Sequence, residues 1–456
     1  MTLFIFNLLQ YSLLSQKMKL KSKTYYMRHR NEIFRYINSN KSWLHIINKN
    51  NNFVNLTNYP ENFIEINNSV DFEHDLVNLQ NNFYDFIVIT DILELTEDIY
   101  KLLKKLHMLL KDDGKLLITT VNPKWNSFML MLEFFKLKKA SPPRSYLQNK
   151  KIDSIAKSSG FEVILNYGRQ LFPFKLFKVG NLLNLLLELV FLRFNLGINN
   201  YLVLSKKSHN KITYSKTIII PAKNEELNLE PLFNRIPKFD SNYEIIFICA
   251  ESKDKTLEVA YKIQKENNDI NIKVIKQISK GKGPGVLEAF KQTDNELIAI
   301  LDSDISVEPE TLNDFFEIIE NRNADFINGT RFVYKMEEGA MRKLNNLGNI
   351  FFQFIISIVI SNKLTDSLCG TKVFKKELIE DLYRWQKMLS KDDPFGDFDL
   401  IFSAAYSGNK IVEYPVHYKS RVYGSTQISR FRDGFKLLLY FINSLLVFRT
   451  SSNETN

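Results

Sequence analysis

Apolar residues along this chain recur at one spacing and then at another, and each switch marks a structural element. Phe86–Thr90 is a short β-rich apolar run, and Asp98–Leu110 then repeats apolar residues at helical spacing. Asp112-Asp113-Gly114 reads as a turn and Lys115–Val121 as a second apolar strand. Asp153–Ser159, Gly160 and Phe161–Tyr167 repeat helix, helix-ending glycine and strand. Alternating strands and helices predict an α/β layer structure. Lys206–Lys211 is short, polar and charged, the best linker in the chain, and Thr217–Ile220 opens a second α/β run.

In this second run, polar turns follow apolar strands in series. Thr217–Ile220 ends in Pro221-Ala222-Lys223-Asn224-Glu225-Glu226. Tyr243–Cys249 ends in Ala250-Glu251-Ser252-Lys253-Asp254, with Ser252 or Asp254 placed to cap the next helix. Ser279–Gly285 is a basic, glycine-rich loop ahead of another helix, a phosphate neighbour by composition. Leu297–Leu301 runs into Asp302-Ser303-Asp304. Strand-end turns of open α/β sheets sit where such sheets bind ligands.

The chain has 456 residues, enough for two cores, and is 45% apolar, so the material to fill them is present. Its formal net charge of +10 favours an anionic partner: nucleic acid, phospholipid headgroups or a nucleotide diphosphate. No RNA-binding or helix-turn-helix signature supports the first, so no nucleic-acid partner is expected. Two cysteines far apart in sequence, Cys249 and Cys369, argue for a reducing compartment. Six scattered histidines show no metal-ligand spacing.

Residues 1–14 are apolar but lack a leading positive charge and a cleavage site, and Met18 is an alternative start. The apolar runs Leu182–Phe194, Ile350–Ile360 and Leu437–Phe448 fall short of the roughly 20 residues a bilayer span needs. They read as core helices or as helices lying in the membrane interface. Arg430, Arg432 and Lys436 precede the last run, so peripheral attachment through Arg430–Phe448 is expected, on the cytoplasmic face.

Asp302 and Asp304 carry the clearest chemistry. Residues i and i+2 of an extended backbone point the same way, and two carboxylates there repel unless a cation lies between them. Oxygen ligands suit Mg²⁺ or Mn²⁺, and magnesium commonly stays in contact with substrate phosphates. The bland alternative is an acidic turn capping a helix near Glu308-Pro309.

The pieces "IIIPAKNEELNL", "EIIFICAESKDKT", "KGKGPGVLEAF", "AILDSDISVEPE", "NGTRF", "LTDSLCGTKVFKK", "FGDFDLIFSAAYSGNKIVEYPVHY" and "SRVYGSTQIS" occur in this order. With them the second half resembles a family 2 glycosyltransferase, closest to dolichol-phosphate or polyprenyl-phosphate sugar synthases. The resemblance implies a GT-A nucleotide-diphospho-sugar transferase fold. It implies Pro221, Asn224, Glu225, Glu251, Asp254, Lys282, Asp302 and Asp304 around the nucleotide sugar. It places Asp302 and Asp304 on the metal and Arg331 on phosphate. It also puts Arg342, Asp366, Arg421 and Tyr423 at the acceptor, and Asp399 as a third acid that deprotonates or orients it. Helix capping is the alternative for Glu225 and Asp254, a solvated surface for Lys282, a basic helix face for Arg342, an exposed turn for Arg421. Cys369 reads as a packed thiol. One departure touches the donor: Cys249-Ala250 stand where the family usually has two acids, so Glu251 substitutes or base recognition differs.

"FYDFIVITDILEL", "LLKDDGKLLITT" and "SSGFEVI" resemble the later half of a class I, S-adenosylmethionine-dependent methyltransferase domain, Rossmann-like in fold. That fold needs a glycine-rich turn after its first strand. Here no glycine precedes Gly114, and the turn's place reads "SWLHIINKNNNFVNLTN". The expectation is a cofactor-less domain over 1–206, a linker over 207–212 and the transferase over 213–456. The expected activity is inverting transfer of a mannose- or glucose-type sugar from a GDP- or UDP-linked donor to a polyprenyl- or dolichyl-phosphate or other lipid-linked acceptor, in cell-envelope glycan synthesis. The rivals are a methyltransferase with an accessory sugar-binding domain and a non-catalytic assembly partner.

Overall fold

Short runs of Ile, Leu, Val and Phe bounded by polar turns fold as strands whose two faces are both covered. A computed structural model describes residues 25–37, 40–48, 63–66, 76, 79–90, 92–96, 98–135, 149–170, 196–207, 210–334, 352–357, 359–360, 362, 364–389, 393, 396–419 and 430–450. The chain divides into two compact units, with the boundary between Ser208 and His209.

The first unit holds β1 (Trp43–Asn48), β2 (Phe63–Ile66), β3 (Tyr84–Thr90), β4 (Leu110–Val121), β5 (Phe161–Arg169) and β6 (Asn199–Lys206). They form one sheet in the order β2-β1-β3-β4-β6-β5, with β6 antiparallel to both its neighbours. Helices α1 (Ile99–Leu109), α2 (Asn126–Phe134) and α3 (Asn149–Ser158) alternate with the strands. Strand period two divides the core: Leu44, Ile46, Ile87, Ile89, Leu116 and Ile118 pack with α1, while Ile47, Phe86, Val88 and Leu117 form the other face. Asp98 starts α1 by accepting the Lys101 amide at 3.0 Å. Gly160, at φ +91°, follows α3. The turn expected at Asp112-Asp113-Gly114 is instead a bulge within β4. Tyr84 pairs with Leu110 and Phe86 with Lys115, so the ladder skips the residues between. The segment after β1, where a glycine turn would fall, lies outside the described residues.

The second unit is built on β7 (Lys216–Ala222), β8 (Tyr243–Cys249), β9 (Asn271–Lys276), β10 (Leu297–Ile300), β11 (Phe326–Thr330), β12 (Lys372–Lys375) and β13 (Ile411–Pro415). Their order is β13-β11-β12-β10-β7-β8-β9. The β10, β7, β8 and β9 strands run parallel, so their four following turns share one sheet edge. Helices α4 (Glu226–Arg235), α5 (Thr256–Glu266), α6 (Lys282–Phe290) and α7 (Leu312–Glu320) occur among these strands; α8 (Leu378–Met388), α9 (Asp397–Tyr406) and α10 (Arg430–Thr450) come later. Ile219, Ile246, Ile298 and Ile300 face one core, and Ile218, Ile220, Ile245 and Phe247 the other.

Of the two readings of Leu437–Phe448, core helix or interfacial helix, the core packing of one face is seen. Leu437, Tyr440, Phe441 and Phe448 are buried in the first of these cores. Phe441 meets Phe398 at 5.1 Å and Phe448 meets Trp385 at 5.2 Å between ring centroids. Leu439, Ile442 and Leu446 remain exposed on the outer side of the same helix. In the Ile350–Ile360 run, Ile356, Val359 and Ile360 are also buried. Leu182–Phe194 lies outside the described residues. Among those described, no helix is long and apolar enough to cross a membrane.

Candidate active site

The shared edge of β7, β8 and β10 gathers most of the expected residues, but they do different things there. Asn224 takes the left-handed conformation (φ +57°) that lets β7 turn sharply into α4. Its amide donates to Ser252 Oγ at 3.0 Å, and its Oδ1 accepts the Lys253 amide at 2.8 Å. Asp254 accepts the Glu226 amide at 3.1 Å and the Thr256 amide at 3.1 Å. Burial opposes ionisation of Asp254, yet bonds from the Thr256 hydroxyl and these amides hold its carboxyl below the usual range. Glu225 accepts from Asn228 Nδ2, one helical turn along. Asn224 and Asp254 thus fasten two neighbouring turns, and Asp254 takes amides at the starts of both helices, while the Glu225 side chain makes no capping bond. Pro221 contributes its carbonyl, which accepts from Ser303 Oγ at 3.0 Å. Glu251 is exposed just past β8, and Cys249 beside it is buried, its thiol pushed up to about 12.

The glycine-rich stretch is also more closed than its composition suggests. Lys282 is the first residue of α6, after Gly281 at φ +104°. Gln277 Nε2 donates to the Ser279 and Gly281 carbonyls, and Glu288 accepts the Ile278 and Ser279 amides. The loop is therefore tied to its own helix.

The charged centre lies where β10, α6 and α9 meet. Asp302 follows β10, with its side chain about one-third exposed, while Asp304 is buried and accepts the Ser306 amide at 3.0 Å. Lys282 Nζ lies 2.6 Å from Asp302 Oδ1 and 3.8 Å from Asp397 Oδ2. Burial works against the lysine's charge, but Asp302 and Asp397 outweigh it and raise its pKa. Its side chain is about one-third exposed and paired with both carboxylates. Two glycines make the approach possible. A Cβ on Gly370 would come within 1.9 Å of Asp302 Oδ2. A Cβ on Gly396 would meet Gly283 Cα at 2.5 Å, so the starts of α6 and α9 touch.

Asp397 lies two residues before Asp399 on α9. Two residues apart on a helix, they face apart, and Asp397 is the one at the charged centre. It accepts from buried Lys372 Nζ at 3.1 Å. Asp399 accepts from Trp385 Nε1 at 3.2 Å, Gln386 Nε2 at 2.9 Å and the Tyr440 hydroxyl at 2.5 Å. Three side-chain donors thus occupy the two oxygens of this carboxylate. Both acids border a cavity of about 250 Å³ between α6, α8 and α9, walled by Val286, Phe290, Leu382 and Leu400. Sequence reasoning missed Lys372. It opens the short strand β12, Lys-Val-Phe-Lys, where nothing local sets it apart from its lysine neighbours.

Arg331 and Asp366 need a second correction. The expectation put one on phosphate and the other against an acceptor. Instead they bind each other: Nε to Oδ2 at 2.6 Å and Nη2 to Oδ1 at 2.8 Å, with Asp366 fully buried. The Arg331 and Leu368 amides complete that carboxylate, and the guanidinium lies 4.9 Å from the Tyr418 ring centroid. Asp366 therefore does not reach an acceptor directly; the pair braces the turn after β11. Cys369 is buried, and burial pushes its thiol up to about 11, as a packed thiol requires. Arg342, Arg421 and Tyr423 lie outside the described residues.

The donor set suits a hard divalent ion. Asp302 and Asp304 offer oxygen, Gly370 leaves room only for the Asp302 carboxylate, and a cationic group already occupies one of its oxygens. Among the described residues no three Asp, Glu, His or Cys side chains close into a metal cage.

Comparison with known proteins finds relatives for both halves of the chain. The family model for glycosyl transferase family 2 matches residues 217–383, and one for a methyltransferase domain matches residues 42–166. A dolichol-phosphate mannosyltransferase of Pyrococcus furiosus is 30% identical over 220 residues, 46% of this chain and 58% of that protein. The chain therefore spans little more than half the length of this relative. A dolichyl-phosphate hexose transferase of Haloferax volcanii is 26% identical over 218 residues, 48% of this chain and 88% of that protein. A solved structure of glucosyl-3-phosphoglycerate synthase from Mycobacterium tuberculosis is 14% identical, with a TM-score of 0.38, over 53% of this chain and 80% of that one. The chain carries a glycosyl transferase family 2 domain behind a methyltransferase-family domain.

Proposed function

We propose that the chain is an inverting hexosyltransferase. It moves a mannose- or glucose-type sugar from a GDP- or UDP-linked donor to a polyprenyl- or dolichyl-phosphate, or another lipid-linked acceptor, in cell-envelope glycan synthesis. The observation that carries this reading is the Asp302–Asp304 pair, delivered by a buried strand to the sheet edge within the family 2 domain. The names of the two relatives support a lipid-phosphate acceptor.

Asp302 and Asp304 would hold Mg²⁺ or Mn²⁺, which would supply Lewis-acid neutralisation of the departing diphosphate. The acceptor oxygen attacks the anomeric carbon, the bond to the nucleoside diphosphate breaks, and configuration inverts. Lys282, between Asp302 and Asp397, adds positive charge where the diphosphate departs. Asp399, whose oxygens are taken by Trp385, Gln386 and Tyr440, has an orienting role. That arrangement favours an acceptor that is already anionic, such as a phosphate, over a neutral hydroxyl. Most of the catalysis is positioning and electrostatics.

The methyltransferase-family domain acts as a scaffold without S-adenosylmethionine, because no glycine precedes Gly114. The protein works at the cytoplasmic face of a membrane, held peripherally. The exposed stripe Leu439, Ile442, Leu446 with exposed Lys436 supports this in place of the whole Arg430–Phe448 segment.

The test is nucleoside diphosphate release from a panel of nucleotide sugars and polyprenyl phosphates. Wild type should turn over with Mg²⁺ or Mn²⁺, and the Asp302→Asn/Asp304→Asn double variant should fold and be inactive. Normal turnover by the double variant in EDTA would falsify the reading.

A further inference from the structure

Lys282 sits on Asp302 where a divalent ion would need to bind. We infer that Lys282 is a placeholder cation: it neutralises Asp302 until the ion arrives, then swings toward Asp397 and the donor diphosphate. This rests on the metal-dependent reading above and adds an exchange step to it.

The geometry restricts what can move. Asp302 is bounded on one side, because its Oδ2 lies where a Cβ on Gly370 would fall, against the Gly370 backbone. The backbone of Lys282 is held as well, since α6 begins against Gly396 through Gly283. What remains free to move is the four-carbon stem of the lysine. Its second seat is close, with Asp397 Oδ2 at 3.8 Å. That seat is the weaker one, because Asp397 is shared with the fully buried Lys372 at 3.1 Å. Lys282 therefore stays on Asp302 at 2.6 Å when no other cation competes.

An ion bound to Asp302 and Asp304 would face the ammonium at close range, and two cations on one carboxylate repel. Metal binding must then break the Lys282–Asp302 pair, so metal alone binds more weakly than the carboxylates permit. A donor diphosphate supplies new oxygens for the displaced ammonium. Metal and nucleotide thus favour each other through this one side chain, and the coupling is reciprocal.

The experiment measures Mn²⁺ binding to the full chain by electron paramagnetic resonance, alone and with UDP or GDP. Variants are Lys282→Gln, Lys282→Arg and, as a control, exposed Lys280→Gln. Lys282→Gln should bind Mn²⁺ alone about tenfold more tightly, while the nucleotide's enhancement of Mn²⁺ binding shrinks. Lys282→Arg, which keeps the charge, should retain the weak wild-type affinity, and Lys280→Gln should match wild type. Unchanged or weaker Mn²⁺ binding by Lys282→Gln, with wild type binding normally, overturns the exchange and leaves the metal reading standing. Failure of every variant to bind Mn²⁺, with or without nucleotide, overturns both. Should Lys282→Gln melt well below wild type, the Lys282→Arg comparison decides: affinity tighter than wild type in a folded, charge-retaining variant contradicts a placeholder cation.

Discussion

Gly370 shows how one missing carbon can decide a site. Its absent side chain is where the Asp302 carboxylate rests, with Oδ2 1.9 Å from the place a Cβ would take. Gly370→Ala should push that carboxylate aside without unfolding the sheet. A displacement near 1 Å at a positioning group costs on the order of 10²-fold in rate. The check is kcat/KM against melting temperature; full activity with an ordinary Tm would show that Asp302 does not need this position. Arg331 and Asp366 make the opposite point. Their bonds are internal, so removing one partner leaves a buried charge unpaired, at roughly 3–5 kcal/mol. Arg331→Met should therefore lower stability by that order in urea titration. A stable Arg331→Met protein that has lost only nucleotide affinity would restore the phosphate-clamp role.

Among the elements, strands were legible because their residues are apolar on both faces and their turns are polar. β7, β8 and β10 could be read from Thr217–Ile220, Tyr243–Cys249 and the run before Asp302. Pairings across long separations were not. Nothing local in "LTDSLCGTK" says that Asp366 closes on Arg331, 35 residues earlier, or that Lys372 meets Asp397. Asp397 and Asp399 were both visible, yet only the helical rotation of α9 sends one to Lys282 and the other to Trp385. α10 was left open between core and interface for a related reason. It is apolar around most of its circumference, and periodicity cannot tell a core face from a lipid face when both are apolar. Its outer stripe gives a prediction. Replacing Leu439, Ile442 and Leu446 together by Ser should abolish flotation with anionic liposomes and leave the melting temperature nearly unchanged, because these residues face outward. Wild type should float best at low salt, since screening shortens to roughly 3 Å at 1 M. A wild-type protein that stays in the pellet fraction at low salt has no membrane-binding stripe.

At the scale of the whole molecule, the two units have separate cores and differ in their histidines. In the first, His29 is buried with Nδ1 2.6 Å from the Tyr201 hydroxyl, and His45 is buried with Nε2 2.6 Å from Thr90 Oγ1. Burial drives His29 down to about 4 against a weaker opposing pull from Glu32. Burial, and then the neighbouring His29, hold His45 well below its ordinary value. In the second unit the described histidine, His417, is exposed and stacked on Tyr334. The sign of the pH effect follows from proton counts. Below about pH 6.5 the unfolded chain protonates these histidines while the folded first unit keeps them neutral. The unfolded state then binds more protons, so stability is complete above pH 6.5 and is lost as pH falls toward 4. For His29 alone this amounts to about 3 kcal/mol at the acid end of the window, a large share of the stability of a domain. The first unit should therefore unfold on acidification before the second. Tryptophans report each unit separately: Trp43 and Trp125 lie in the first, and Trp385 is fully buried in the second. Between pH 6.5 and 4, a protein carrying Trp385→Phe should show a red-shifted emission from Trp43 and Trp125. A protein carrying Trp43→Phe and Trp125→Phe should keep the emission of buried Trp385 over the same range. If Trp43 and Trp125 hold their emission down to pH 4, the neutral buried histidines do not control the stability of this unit.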